Sequence, residues 1–340
     1  MAHREFGQMS LADALVSGVG ANAVLDRLSE LIDWDAVADQ LSSIHGSRYG
    51  RRAYAPIVML KALLLAQWHG LSDPALEAAL SDRLSFRRFC GLALDDATPD
   101  HVTISRFRAA LRAHGLAEAV FAEVIRQIDA RGLVLRRGTL IDASLVEAAV
   151  RRPKPPAEPA PVGADGRPPS KLVRSALDPE AAWAKKGGRR YFGYKAHVGV
   201  DQGSGIVRRQ RLTPANVNDT VEADALICGD EKAVYADQAY DKKARRQALK
   251  QRGAKDRLMH RPNKHHPLTP RQERRNTLIG KRRAPVEQVF ASLKRLYGWP
   301  RVRYRGLARN AVHLALLCTA LNLRRLVVLT AARPPEPAET

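Results

Sequence analysis

Between residues 22 and 130 the apolar positions recur at helical spacing. In "LAEAVFAEVIRQIDARG", Phe121, Val124, Ile125 and Ile128 follow the i, i+3, i+4, i+7 pattern of one buried face. "DPALEAALSDRL" offers Asp73 as an N-cap with Pro74 at the first helical position; "TPDHVTISRFRAALRAHG" offers Thr98 and Pro99 in the same way, with Gly115 to end the helix. From residue 133 the pattern changes. "LVLRRGTLIDASLV" reads as a strand, and "GYKAHVGVD" and "IVRRQRLTPAN" read as a hairpin around "QGSG". A helix at "DTVEADALIC", a strand at "KAVYADQAYD", a basic helix at "KKARRQALKQRG" and a short strand near "RLMHR" follow. Next come a helix in "KRRAPVEQVFASLKR" and a buried C-terminal helix, "AVHLALLCTALNLRRLVVL". The order predicts an all-α part over residues 1–132 and a mixed α/β layer over 133–330. Residues 151–180, rich in proline and charge, read as an exposed loop, and 331–340 as a disordered tail.

Charge changes this picture. The chain has 340 residues, of which 45% are hydrophobic and 27% charged, as in ordinary globular proteins, but its net charge is +21. Residues 1–135 hold 14 Lys+Arg and 16 acids, whereas residues 241–310 hold 22 Lys+Arg and four acids. Such a basic surface favours a polyanionic partner. The longest apolar runs carry Lys61, His313 and Asn322, which argues against a membrane span, and "MAHREFGQMSLADAL" lacks the layout of a secretory signal. Cys90, Cys228 and Cys318 are far apart and read as small buried hydrophobes of a reducing compartment. Nucleic acid in a cytoplasmic, nucleoid-associated setting is the expectation that remains.

In the helical part, Thr103, Ser105, Arg106 and Arg108 offer short polar and basic groups able to meet phosphates or base edges, as in a helix-turn-helix. A solvated helix face is the alternative. Farther on, Asp142 ends the strand "TLID" and Asp237 ends the strand "AVYAD", which would bring each out at a sheet end, and Glu287 is a lone acid in basic surroundings at the edge of the stripe Val286, Val289, Phe290 and Leu293. Taken singly, each aspartate reads as a turn or cap residue, and Glu287 suits the first turn of a helix beginning at Pro285. Taken together, three converging carboxylates repel one another unless a cation offsets them. Hard oxygen donors suit Mg²⁺, and a pair of such ions serves phosphoryl transfer.

These residues resemble the DDE transposases of bacterial insertion sequences, in particular the insertion-sequence four/five group. "YAPIVMLKALLLAQWHGLSD" and "DATPDHVTISRFRAAL" are similar to that family's helical leader and helix-turn-helix-like element. "DPEAAWAKKGGRRYFGYKAHVGVD" and "LTPANVND" are similar to its Lys/Gly-rich segment and the strands that follow. The resemblance implies an RNase H-like catalytic domain behind an all-α DNA-binding domain, and metal ligands at Asp142, Asp237 and Glu287. It also implies Mg²⁺ in a pair, replaceable by Mn²⁺. Arg283, Glu287 and Lys294 match the spacing of the family's Tyr-Arg-Glu-Lys signature, with Gly280 at the tyrosine position. Ala239 replaces the glycine of the family's Asp-x-Gly-Tyr-Asp. By the same resemblance, Arg283 and Lys294 contact DNA near the site, Lys185, Lys186, Arg189 and Arg190 contact its backbone, and the enzyme works as a homodimer on double-stranded DNA. Tyr191, Phe192 and Tyr194 read as core, with stacking on an unpaired base as the alternative.

Three other readings compete. A catalytically inactive or domesticated DNA-binding protein shares the composition; another RNase H-like nuclease shares the carboxylates. A histidine metal site at His265-His266 lacks partner spacing.

Overall fold

A computed structural model describes residues 21–44, 53–154, 175–262 and 267–332. The expected Pro-rich loop lies largely, the terminal tail mostly, and His265-His266 wholly outside these residues. The chain forms two compact units. One comprises Met1–Leu135, Gly203–Val207 and Ala315–Thr340; the other comprises Arg136–Gln202 and Arg208–Leu314.

The first unit holds seven described helices before the sheet begins: α1 (Ala23–Leu31), α2 (Trp34–Asp39), α3 (Pro56–His69), α4 (Asp73–Asp82), α5 (Leu84–Cys90), α6 (His101–Ala113) and α7 (Leu116–Ala130). Helix α3 is apolar all round and is buried from Val58 to Trp68 except at Lys61, so it is the axis of this core. The Nζ of Lys61 lies 4.6 Å over the Trp34 ring, and burial lowers its pKa. Two cap assignments shift. Ser72, not Asp73, caps α4 by accepting from the Ala75 amide, and Asp100, not Thr98, caps α6 by accepting from the Thr103 amide. In both cases the short polar side chain nearest the first free N–H takes the cap.

The second unit is built on a six-stranded sheet: β1 (Thr139–Glu147), β2 (Ala182–Lys186), β3 (Arg189–Asp201), β4 (Val207–Pro214, whose first residue falls in the other unit), β5 (Ala233–Ala236) and β6 (Lys255–Leu258). The strand order is β2-β3-β1-β5-β6, with β4 also paired to β3. β1 and β3 are antiparallel along all nine residues of β1, whereas β1–β5 and β5–β6 are parallel. Three antiparallel strands followed by two parallel ones is the RNase H-like arrangement, and the mixed α/β class expected from the sequence is what the chain adopts.

Several local expectations are corrected. "DTVEADALIC" forms only a four-residue helix α8 (Asp219–Glu222) and a 3₁₀ turn at Asp224–Leu226. Strand β2 went unread, because its "AWAKK" alternates only weakly. Asp142 does not end β1 but is its fourth residue, since β3 keeps pairing through Glu147 after β5 has stopped beside Leu140. Helix α9 (Lys243–Gln251) forms as expected. "KRRAPVEQVFASLKR" divides between α10 (Pro270–Arg283) and α11 (Pro285–Arg295). Pro285 has no N–H to continue the ladder, while Ala284 stays in the right-handed helical region, so the two helices abut. The first turns of α10 were not read from the sequence; the helix starts at a capping box, in which the Thr269 side chain accepts from the Gln272 amide and the Gln272 side chain accepts from the Thr269 amide.

One side of the sheet is closed by a core of Ile141, Ala223, Leu226, Val234, Ala236, Tyr240, Leu249 and Leu258. Elsewhere in this unit α11 packs against β1 and buries Val286, Val289, Phe290 and Leu293, the stripe read from the sequence. At Gly193 the β1 backbone leaves no room for a side chain. A Cβ there would clash with the Val146 carbonyl oxygen, which explains the glycine inside "YFGYK". The last helix, α12 (Leu307–Ala331), is long and apolar enough to cross a membrane by composition alone. Its Leu314, Leu316, Leu317, Leu323 and Leu326 are instead buried within the protein, so it reads as a core helix.

Candidate active site

The sheet register brings the two aspartates together. Thr139 pairs with Val234 and Leu140 with Tyr235, so two residues farther along the parallel strands Asp142 stands beside Asp237. Asp237 directly follows β5 and accepts a hydrogen bond from the Ala239 amide at 2.8 Å. That 3₁₀ turn, Gln238–Tyr240, leaves Ala239 without a positive φ, so the glycine of the family pattern is not required here.

The third carboxylate arrives from α11. Glu287 lies in its first turn, with a side chain 69% exposed, so it points outward more than the stripe position implied. Arg283, the last residue of α10, stands between the acids. Its Nη1 is 2.9 Å from Asp142 Oδ2 and its Nη2 is 3.9 Å from Glu287 Oε1. Although only 14% exposed, Arg283 has no well-aligned hydrogen bond at Nε or Nη1. The pairing with Asp142 is therefore close in distance and poor in direction, a charge held in place more than a hydrogen bond satisfied.

Burial raises the pKa of Asp142, with Arg283 opposing and Asp237 adding to the rise. Lys294, two turns beyond Glu287, donates a 2.6 Å hydrogen bond to Ser144 Oγ, two residues from Asp142 on the same face of β1. Its pKa is lowered by burial and then by the nearby Lys186. That places Lys186 of the β2–β3 hairpin within electrostatic reach of Lys294. Lys185, Lys186, Arg189 and Arg190 are all exposed. Tyr194 and Phe192 are buried, and the Tyr194 hydroxyl donates to Asp178 at 2.5 Å, which settles the aromatic pair as core. Ser144 was missed by sequence reading, since nothing but the pairing with Lys294 distinguishes it from any strand serine.

Gly280 is the position of the absent signature tyrosine. A Cβ there would come 3.2 Å from the Met259 terminal methyl, so any side chain at this position requires that flexible methionine to give by a few tenths of an ångström. In the helical unit the two arginines of α6 separate. Arg106 is exposed, whereas Arg108 is held by both carboxylate oxygens of Asp73, with Nη1 3.0 Å from Oδ2. Arg108 faces α4 and is only 11% exposed, unlike the outward-facing residue expected of a DNA contact.

The donor chemistry fits a hard divalent cation: three carboxylates, no sulfur or imidazole, and one aspartate whose charge burial disfavours. The oxygens of the three are not gathered within 4.8 Å of one another, and Arg283 takes up the space between them. Among the described residues, the group that does gather so closely is Cys228, Asp230 and Glu231. There Glu231 accepts from the Cys228 and Gly229 amides, and Asp230 accepts from Arg136 and Arg208, so both acids already have partners within the protein.

The family model described as "Transposase DDE domain" matches residues 135–323, and the model "Transposase domain (DUF772)" matches residues 14–110. No solved structure matches the chain. Members of the DDE family generally use divalent metal ions and act on DNA. With the first model covering more than half of the sequence and an RNase H-like sheet carrying its acids at neighbouring strands, this chain belongs to the DDE transposases of insertion sequences.

Proposed function

We propose that the protein is a transposase of the insertion-sequence four/five group. In this reading it binds the inverted-repeat ends of its element, hydrolyses phosphodiester bonds with water, and joins the freed 3′-hydroxyl to target DNA. The observation that carries this reading is the juxtaposition of Asp142 and Asp237 on adjacent parallel strands, with Glu287 and Arg283 delivered to the same place by the α10–α11 junction. Asp142, Asp237 and Glu287 would hold Mg²⁺, as a pair of ions and with Mn²⁺ able to substitute. When bound, such ions activate the attacking oxygen and stabilise the leaving one.

The chain's own residues have separate tasks. Glu287, exposed on its helix, is free to swing toward the aspartates. Arg283 offsets their repulsion before DNA arrives and, once displaced from Asp142, is placed to meet a phosphate oxygen. Lys294, poised on Ser144, steadies a second phosphate position beside the carboxylates. The exposed Lys185, Lys186, Arg189 and Arg190 at the β2–β3 turn, together with Arg106 on α6, supply further backbone contacts. Work on two ends calls for a homodimer on DNA, in the cytoplasm and on the nucleoid, with no part for a membrane. The domain reading that accompanies this is a helical DNA-binding part over 1–132 and catalysis over 133–330.

The test is nicking of a plasmid carrying the DNA that flanks the gene on both sides. Divalent-ion-dependent nicking at the repeat ends, lost in Glu287→Ala, is the expected result. Equal inertness of wild type and variant would leave a DNA-binding protein without catalysis. Nicking that ignores the ends would favour a general nuclease.

A further inference from the structure

Helix α10 carries two sets of cations. Arg275 and Arg283 are partly buried and make ion pairs, Arg275 with Asp256 at 3.4 Å and Arg283 with Asp142 and Glu287. Arg271, Arg274, Lys281 and Arg282 are all exposed, and among the described residues no ion pair engages any of them. At 100° per residue these four and Leu278 fall within one arc of about 100°. Leu278 sits in the middle of that arc and is 63% exposed. Glu273, the helix's single acid, lies away from the arc.

From this arrangement we infer that the Arg271–Arg274–Lys281–Arg282 stripe is a docking surface for the sugar–phosphate backbone of duplex DNA, leading the strand to the carboxylates. The inference rests on the functional reading above. Charge complementarity selects the partner. Four cations without acids suit a polyanion, and one exposed leucine is too little apolar area for a membrane surface. Dimensions select the form: Arg271 to Arg282 spans about 16 Å of helix, or about five base-pair steps of a duplex. Direction selects the path, because Arg283 follows Arg282 immediately and its guanidinium lies 2.9 Å from Asp142. Leu278, at the centre, would lie against deoxyribose between the flanking phosphate contacts.

The experiment measures binding without chemistry. A fluorescein-labelled mixed-sequence duplex of about 40 base pairs is titrated by anisotropy with no divalent ion present, across a salt series. Replacing Arg271, Arg274, Lys281 and Arg282 together by Gln should lower the slope of log affinity against log salt by about 3 to 4 and weaken binding at least about tenfold at low salt. Leu278→Glu, which keeps all four cations, should weaken binding several-fold by placing a negative charge in the stripe. All variants alter exposed positions, and unchanged melting curves confirm that they fold. The inference is overturned if the fourfold variant keeps the wild-type slope. It is equally overturned if a charge-matched set on and flanking α9 (Lys242, Lys243, Lys250 and Arg252 to Gln) loses as much, since net charge alone would then account for the effect. Wild type without duplex affinity would sink the functional reading as well; wild type that binds with a slope indifferent to the stripe removes this inference only.

Discussion

Two buried arginines of the α/β unit make opposite use of their charge. Arg245, on α9, has a side chain 1% exposed and makes five hydrogen bonds, to Asp224, to Thr220 through its hydroxyl and carbonyl, and to the Tyr240 carbonyl. Arg283, at the end of α10, is 14% exposed, lies 2.9 Å from Asp142, and leaves Nε and Nη1 without an aligned acceptor. A cation so fully satisfied is fastened into the fold and would be costly to move. One that is close to acids but poorly bonded can be moved at small cost. The difference marks Arg245 as structural and Arg283 as part of a site that must rearrange when a ligand enters.

The largest expected effect breaks the comparison at the acids. Asp142→Asn or Glu287→Gln should lower divalent-ion-dependent nicking by at least about 10³-fold, a loss on the order of 4 kcal/mol in transition-state stabilisation. Because Glu287 is largely exposed, Glu287→Gln should leave thermal stability within about 0.5 kcal/mol of wild type. A variant that loses activity only by unfolding would show a collapsed melting transition and remove the catalytic assignment.

Next come the arginines themselves. Arg245→Ala should destabilise the protein by about 3 kcal/mol in denaturant unfolding, since it removes a buried side chain and leaves the Tyr240 and Thr220 carbonyls without their donor. Arg283→Ala should cost about 1 kcal/mol or less and reveal itself in a pH profile instead. Arg283 lowers the pKa of Asp142 against the effect of burial, so its removal raises that pKa further. The acid limb of divalent-ion-dependent nicking should then move to higher pH. An unmoved limb would show that Arg283 does not act through Asp142.

A third effect concerns acid stability. His197 on β3 is fully buried, its Nε2 pairs with the Thr213 hydroxyl at 2.9 Å, and burial pushes its pKa down to about 4 from 6.5. The folded-state value lies below the unfolded one, so the unfolded chain takes up the proton first. Stability is therefore lost as pH falls from about 6.5 toward about 4, by roughly 2 to 3 kcal/mol from this residue. In His197→Gln that part of the pH dependence should vanish from unfolding curves. If the variant and wild type share the same acid slope, another group is responsible.

The smallest effect repeats the comparison in the helical unit. Arg108→Ala should cost about 1 to 2 kcal/mol through loss of the partly buried pair with Asp73. Arg106→Ala should change stability by less than about 0.5 kcal/mol and instead weaken duplex affinity. Reversal of the two would place Arg108, not Arg106, on the DNA.

Periodicity and charge made much of this legible. The helical spacing of residues 22–130, the hairpin around "QGSG" and the buried stripe of α11 depend on local alternation, which the chain carries in itself. So does the surplus of cations beyond residue 240. Strand β2 was missed because its pattern is weak and its partner is Gly193 to Arg189 across a two-glycine turn. Asp142 was misplaced at a strand end because its continuation depends on β3, where its partner is the distant Val198.

The sequence by itself determined which residue types were available: three carboxylates, a spaced Arg283-Glu287-Lys294 set and the cations around them. Only the tertiary structure decided how they are used. Parallel register set Asp142 beside Asp237, the proline-broken junction of α10 and α11 turned Arg283 onto Asp142, and Ser144 was found as the rest position of Lys294. Spacing along a chain says which face a residue shares with its near neighbours. It does not say which distant strand or helix end lies opposite, because that follows from long-range pairing and burial of the whole unit.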